Sequence, residues 1–134
     1  MKALALLSCI LTPLLLIVFI SSCQALPRAR GTWVADVQTI ELADSEGTKC
    51  QCVQLLLQEA PLHPYMDERV LLVKPDGTAY SPEEVNDLRV RVSGLISFTM
   101  AVCPSTGNKL VRQLNAGSTT SGFWVLTAKR VDSM

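Results

Sequence analysis

The sequence predicts a mainly β domain, a small five-stranded barrel with one short helix, with a β-sandwich as the alternative. Three observations predict it. Five short runs carry alternating or continuous apolar residues, at 33–42, 49–58, 69–74, 88–103 and 123–131. Turn signals separate them: Asp44-Ser45-Glu46-Gly47, Pro75-Asp76-Gly77 and the stretch 104–109. A single helix start, Ser81-Pro82-Glu83-Glu84, falls between the third and fourth runs. Numerous short strands with turns between them close into barrels or pack as sandwiches.

The first strand opens at Trp33. Trp33, Ala35 and Val37 share one face of an extended chain, while Ile40 and Leu42 have the opposite parity. A one-residue bulge between 37 and 40 is expected, because an extra residue turns the following side chains over. The second strand, 49–58, sets Val53, Leu55 and Leu57 on one face and Cys50, Cys52, Gln54 and Leu56 on the other. The stretch 59–68 has two prolines and no period, which marks a loop. The third strand, 69–74, ends in the Pro75-Asp76-Gly77 turn, where proline presets φ and glycine allows a positive one. Thr78-Ala79-Tyr80 returns as a short hairpin arm.

Ser81 is placed to cap a helix, Pro82 suits the first helical position, and Glu84 completes a capping box. The helix is short, since alternation resumes at once: Leu88, Val90 and Val92 in, Arg89 and Arg91 out. The pattern continues through Ile96, Phe98, Met100 and Val102, so 88–103 reads as one long strand bent at Gly94. Residues 110–122 are weakly patterned and then polar. The last strand places Phe123, Val125 and Val131 on one face and Trp124, Leu126 and Ala128 on the other.

Three strands, a short helix and two more strands form an order that resembles the OB-fold, a five-stranded Greek-key barrel. The resemblance spans 33–131 and is one of element order. It implies a long, bent first strand and a helical cap before the fourth. With Leu88-Arg89-Val90-Arg91-Val92-Ser93-Gly94 following the cap, the chain is also similar to small bacterial exported OB-fold proteins.

The N-terminus has a different grammar. Residues 1–22 hold one charge, Lys2, and an 18-residue apolar run from Ala3 to Ile20, the layout of an export signal. An uncleaved signal anchor is the alternative, because such a run nears the length needed to span a bilayer. Ile20-Ser21-Ser22-Cys23 resembles the lipobox of bacterial lipoproteins. That resemblance implies lipidation of the Cys23 sulfur with diacylglycerol, cleavage before Cys23 and acylation of the new amine. It implies membrane lipid as a partner through acylated Cys23, and a cell-envelope, periplasm-facing location. Gln24 in the next position favours the outer membrane in a double-membrane bacterium. Ordinary secretion with cleavage after Ala25 is the competing reading. The resulting division is signal peptide 1–22, lipid-anchored tether 23–32 and β-barrel domain 33–131.

Five cysteines occur, at 9, 23, 50, 52 and 103. Export leads to an oxidising compartment, so a disulfide is expected between Cys103 and Cys52 or Cys50. Cys52 is preferred for its deeper place in the strand. A Cys50–Cys52 bridge would be strained, because residues two apart in a strand lie roughly 6.5–7 Å apart. Cys50, Cys52 and Cys103, with His63 or Met66 nearby, are the lesser candidates for a soft metal ion; no cofactor is expected.

Charge and motif content exclude other classes. Lys plus Arg and Asp plus Glu both number 12. Removal of Lys2 with the signal leaves the mature chain near −1, with no basic block to meet successive phosphates. Nucleic acid is therefore not an expected partner. His63 is the single histidine, in a proline-flanked loop, with no G-x-S-x-G elbow to accompany it. Glu83 and Glu84 read as helix-start carboxylates, and Pro75–Thr78 lacks the glycines and lysine of a phosphate loop. The expectation is a non-catalytic, membrane-tethered binding module for an envelope protein or glycan. The alternatives are a free secreted, disulfide-stabilised inhibitor or signalling protein and, behind it, a soft-metal binding protein.

Overall fold

The computed structural model describes residues 28–58, 68–114 and 118–134. The signal segment, Cys9, Cys23, the tether up to residue 27, His63 and Met66 lie outside these described residues. Seven strands form: β1 (Ala29–Asp44), β2 (Lys49–Leu57), β3 (Arg69–Val73), β4 (Arg89–Thr99), β5 (Leu110–Gln113), β6 (Thr119–Thr120) and β7 (Phe123–Ser133). One 3-10 turn, Pro82–Glu84, stands where the short helix was expected.

Five of the strands make a ring. β1 pairs with β2, β2 with β3, β3 with β7, β7 with β4, and β4 returns to β1. All pairings are antiparallel except β3 with β7. β4 lies beside β1 while β1, β2 and β3 follow in sequence, which is the Greek-key order 4-1-2-3. The architecture is the five-stranded, OB-fold-like barrel expected, with β5 and β6 added as a short arm off the far end of β1.

The barrel is filled by Ala35, Val53, Leu55, Val70, Leu72, Val90, Val92, Ile96 and Leu126, all but excluded from solvent. All five ring strands contribute, and Val85, just after the 3-10 turn, packs into the same core. Each fully buried Val or Leu contributes about 1.5–3 kcal/mol relative to exposure. The opposite faces of β2, β3 and β7 carry a second core. There Cys50, Cys52, Leu71, Val73, Phe123 and Val125 pack with Ala79, Ala101, Cys103 and Leu110 from the segments laid over them. Apolar residues on both faces of these strands thus have two separate destinations.

The two cores explain where the structure departs from the alternation. β1 has no bulge: its register with β2 runs unbroken from Ala35–Leu57 to Ala43–Lys49. The parity changes because Trp33, Ala35 and Val37 serve the barrel, whereas Ile40 and Leu42 serve the second core. A bulge lies instead in the β4–β7 ladder, where Ser93 faces Arg130 and Gly94 faces Ala128, leaving Lys129 unmatched. That extra residue brings Val131 onto the face of Trp124, Leu126 and Ala128, against the expected grouping with Phe123.

Other boundaries move for similar reasons. β1 begins at Ala29, not Trp33, because Ala29–Asp36 pairs with Arg89–Ile96 and Ala29 is buried. The last four residues of the expected tether are therefore strand. Leu88 is 87% exposed, against the expectation that it points inward. It precedes β4 and serves through its carbonyl, which accepts from Val37 N–H at 2.9 Å. The run 88–103 is not one strand. β4 stops at Thr99, and Ala101 and Cys103 then enter the second core while Val102 bridges Thr78 and Lys109.

Candidate binding site

The chemistry-bearing groups gather around the second core. At the end of β1, Asp44 is 1% exposed and accepts four hydrogen bonds. Glu46 N–H and Thr48 N–H donate to Oδ1, both at 2.9 Å. Thr106 Oγ1 at 2.8 Å and Asn108 Nδ2 at 3.1 Å donate to Oδ2. Burial raises the carboxyl pKa, but these four donors outweigh it and hold the group at about 2. Gly47, at φ 84°, makes the intervening turn possible. Asp44 thereby ties the β1–β2 turn to the 104–109 loop. With its lone pairs engaged, it is a structural anion and not a base.

The disulfide lies beside this hub. Cys50 is joined to Cys103 across 53 residues, with Cα atoms 6.1 Å apart. The preference for Cys52 is corrected, and the reason is local. Cys50 sits opposite Leu42 near the hairpin end, where Ser45 N–H donates to Lys109 carbonyl and Cys103 N–H to Asn108 carbonyl. The 103–109 loop is held at that end of the strand. Cys52, two residues further in, remains a buried thiol whose pKa burial pushes up to about 11. The bridge also bears on the soft-metal candidates Cys50, Cys52 and Cys103. Two of the three sulfurs are consumed by the bridge, and the third is not a thiolate near neutral pH. Among the described residues, no three His, Cys, Asp or Glu side chains converge as metal ligands.

A cleft of about 60 Å³ opens at the margin of the second core. Its apolar lining is Ile40 and Leu42 of β1, Leu71 of β3 and Phe123 of β7, with Trp124 beside them. Gln54, Arg69 and Arg112 complete the lining, and none of these described residues is acidic. Gln54 Nε2 donates to Gln38 Oε1 at 2.9 Å, so that amide is already engaged. The Arg112 guanidinium stands over the Phe123 ring, 5.5 Å from its centroid. A cation–π contact of this kind holds the guanidinium near the ring without an N–H···O partner. Trp124 is held by an edge-on contact with Phe98, with centroids 5.3 Å apart.

A wider polar groove of about 480 Å³ runs past the 3-10 turn and the disulfide loop. Two of its charged groups pair with each other: Lys74 Nζ lies 2.6 Å from Glu84 Oε2 and also over the Tyr80 ring. The Lys74 contact is the main cause of the lowered Glu84 pKa. Glu84 Oε1 also accepts from the Ser81 N–H at 3.0 Å and from the Ser81 hydroxyl at 3.1 Å. Glu84 thus closes the turn as the capping box predicts, and Ser81 Oγ donates to the carboxylate there.

Neither a protein-family model, a curated protein nor a solved structure matches this chain. The candidate site therefore rests on its own geometry. Of the sulfurs singled out by sequence, the structure brings Cys50, Cys52 and Cys103 into one core. Cys23, the lipidation candidate, lies outside the described residues. Arg69, Arg112 and Asp44 were not singled out. Arg69 opens an ordinary strand and Arg112 falls in weakly patterned sequence. Asp44 carried only a turn signal, which its side chain does fulfil.

Proposed function

We propose that this chain is an exported, lipid-anchored, non-catalytic binding module of the cell envelope. Ile20-Ser21-Ser22-Cys23 at the end of the apolar run supports the anchor. Two or three acyl chains on Cys23 would hold the domain stably, where a single chain is marginal. Gln24 favours delivery to the outer membrane of a double-membrane cell. The observation that carries the binding assignment is the cleft at the edge of the second core, with its apolar floor and guanidinium rim. The strongly perturbed acid and thiol, Asp44 and Cys52, are respectively saturated with donors and buried, which argues for structural roles.

The disulfide also suits a free secreted inhibitor or signalling protein, which is the second reading. The mass of the mature N-terminal peptide separates the two. The proposal expects a peptide starting at acylated Cys23, and Cys23→Ala should abolish lipid labelling and membrane retention. A mature N-terminus at Leu26 without acyl mass would establish the secreted form instead.

A further inference from the structure

We propose that the cleft between β1, β3 and β7 binds a small amphipathic anion, a carboxylate carried on an alkyl or aryl stem. The inference deepens the binding half of the reading above and does not depend on the lipid anchor. Ile40, Leu42, Leu71 and Phe123 form a floor with no polar side-chain atom, so it accepts an apolar group without leaving a partner unsatisfied. Its size decides the scale of the guest. A buried water needs roughly 10–15 Å³ on this kind of measure, so about 60 Å³ admits the end of one alkyl or phenyl group. A sugar ring or the surface of a folded protein does not fit in it.

The rim decides the charge. Arg112 is held over Phe123, 5.5 Å from the ring centroid, and lines the cleft beside the apolar floor. Its planar fork matches a carboxylate with two parallel N–H donors. Arg69 also lines the cleft, and no described lining residue is acidic. An ammonium group would meet the Arg112 guanidinium, and a neutral group would leave its fork unmatched. The ligand is thus held at two points: stem in the floor and anion at the rim.

The test uses the full-length protein and two probes of equal shape, 4-phenylbutanoate and 4-phenylbutylamine, followed by amide NMR shifts. The carboxylate should give saturable shifts centred on Leu71, Arg112 and Phe123, weakened by added salt. The amine should bind at least roughly tenfold less tightly. Arg112→Gln should cost about tenfold in carboxylate affinity and should narrow the gap between the two probes by leaving the amine no weaker. Should that variant misfold, Arg112→Lys retains charge and loses the fork, and should weaken the carboxylate in part.

Equal binding of both probes, indifference of the carboxylate to either Arg112 variant, or no saturable shift at millimolar concentration would overturn the assignment. Tight binding of an acidic peptide or uronate oligomer in place of phenylbutanoate would overturn the small-ligand claim. Acyl analysis of Cys23 on the same preparation keeps the anchor separate, since either result can fail while the other stands.

Discussion

At the scale of single residues, two side-chain positions carry more of the fold than their types advertise. Asp44 is one. Its carboxyl is depressed to about 2 from an ordinary value of 3.8, so folding favours the ionised form. The sign follows from linkage: the stabilisation is complete above about pH 4 and disappears as pH falls toward 2. Asp44→Asn should flatten the pH dependence of the unfolding midpoint in that window, because an amide nitrogen would face the donors Thr106 and Asn108. Urea melts at pH 2.5, 4 and 6 check this, and parallel profiles for the two proteins would refute it. Gly94 is the other. A Cβ there would collide with the Thr127 carbonyl and touch Leu126 at the bulge. Gly94→Ala should destabilise by about 1–3 kcal/mol or more, as overpacking does, measurable as a shift in denaturant midpoint at unchanged slope.

At the scale of elements, the second core depends on a staple rather than on ladder pairing alone. The segment 100–109 makes β-bridges through Val102, accepts the Ser45 N–H at the Lys109 carbonyl, and is tied further by Asp44 and the disulfide. Chain-entropy reasoning for a loop of 53 residues gives about 4 kcal/mol as an upper figure for that bridge. A Cys50→Ala, Cys103→Ala double variant should lose up to that amount, read from chemical denaturation. Peptide mapping without reductant should recover Cys50 linked to Cys103. Cys52 should resist alkylation in the native protein and react once it is unfolded. Ser81→Ala should cost less than about 1 kcal/mol. The Ser81 hydroxyl donates to a part-exposed carboxylate that Lys74 and the Ser81 N–H also hold.

At the scale of the whole molecule, the pairings β1–β2–β3–β7–β4–β1 bring five strands round into a ring, so each ring strand has two strand neighbours. The β5–β6 arm then has a specific effect. By leaving β1 and carrying Arg112 over Phe123, it turns the margin of an apolar core into a polar-rimmed cleft. The proposed tether and the proposed ligand site are therefore separable properties, one written in the N-terminal residues and one assembled by the fold.

The sequence by itself determined the mainly β class, the order of the five ring strands and the place of the turns at Gly47, Gly77 and Gly107. Each of these follows from local chemistry: period-two alternation, proline and glycine torsions, and a serine, proline and glutamate in series. It also determined that Cys103 would pair with the Cys50–Cys52 strand, but not with which cysteine. Only the tertiary structure decided that, because the choice depends on where Asp44 pins the 103–109 loop. The same holds for parity. Ile40 and Val131 broke their patterns for opposite reasons, one by serving a second core and the other by following a bulge at Lys129. Alternation reports which residues share a face, and it cannot report that both faces are covered. The cleft was illegible for the same reason. Ile40, Leu71, Arg112 and Phe123 are far apart in sequence and carry no motif, and they meet only because β1, β3 and β7 share the second core and the β5 arm carries Arg112 over it.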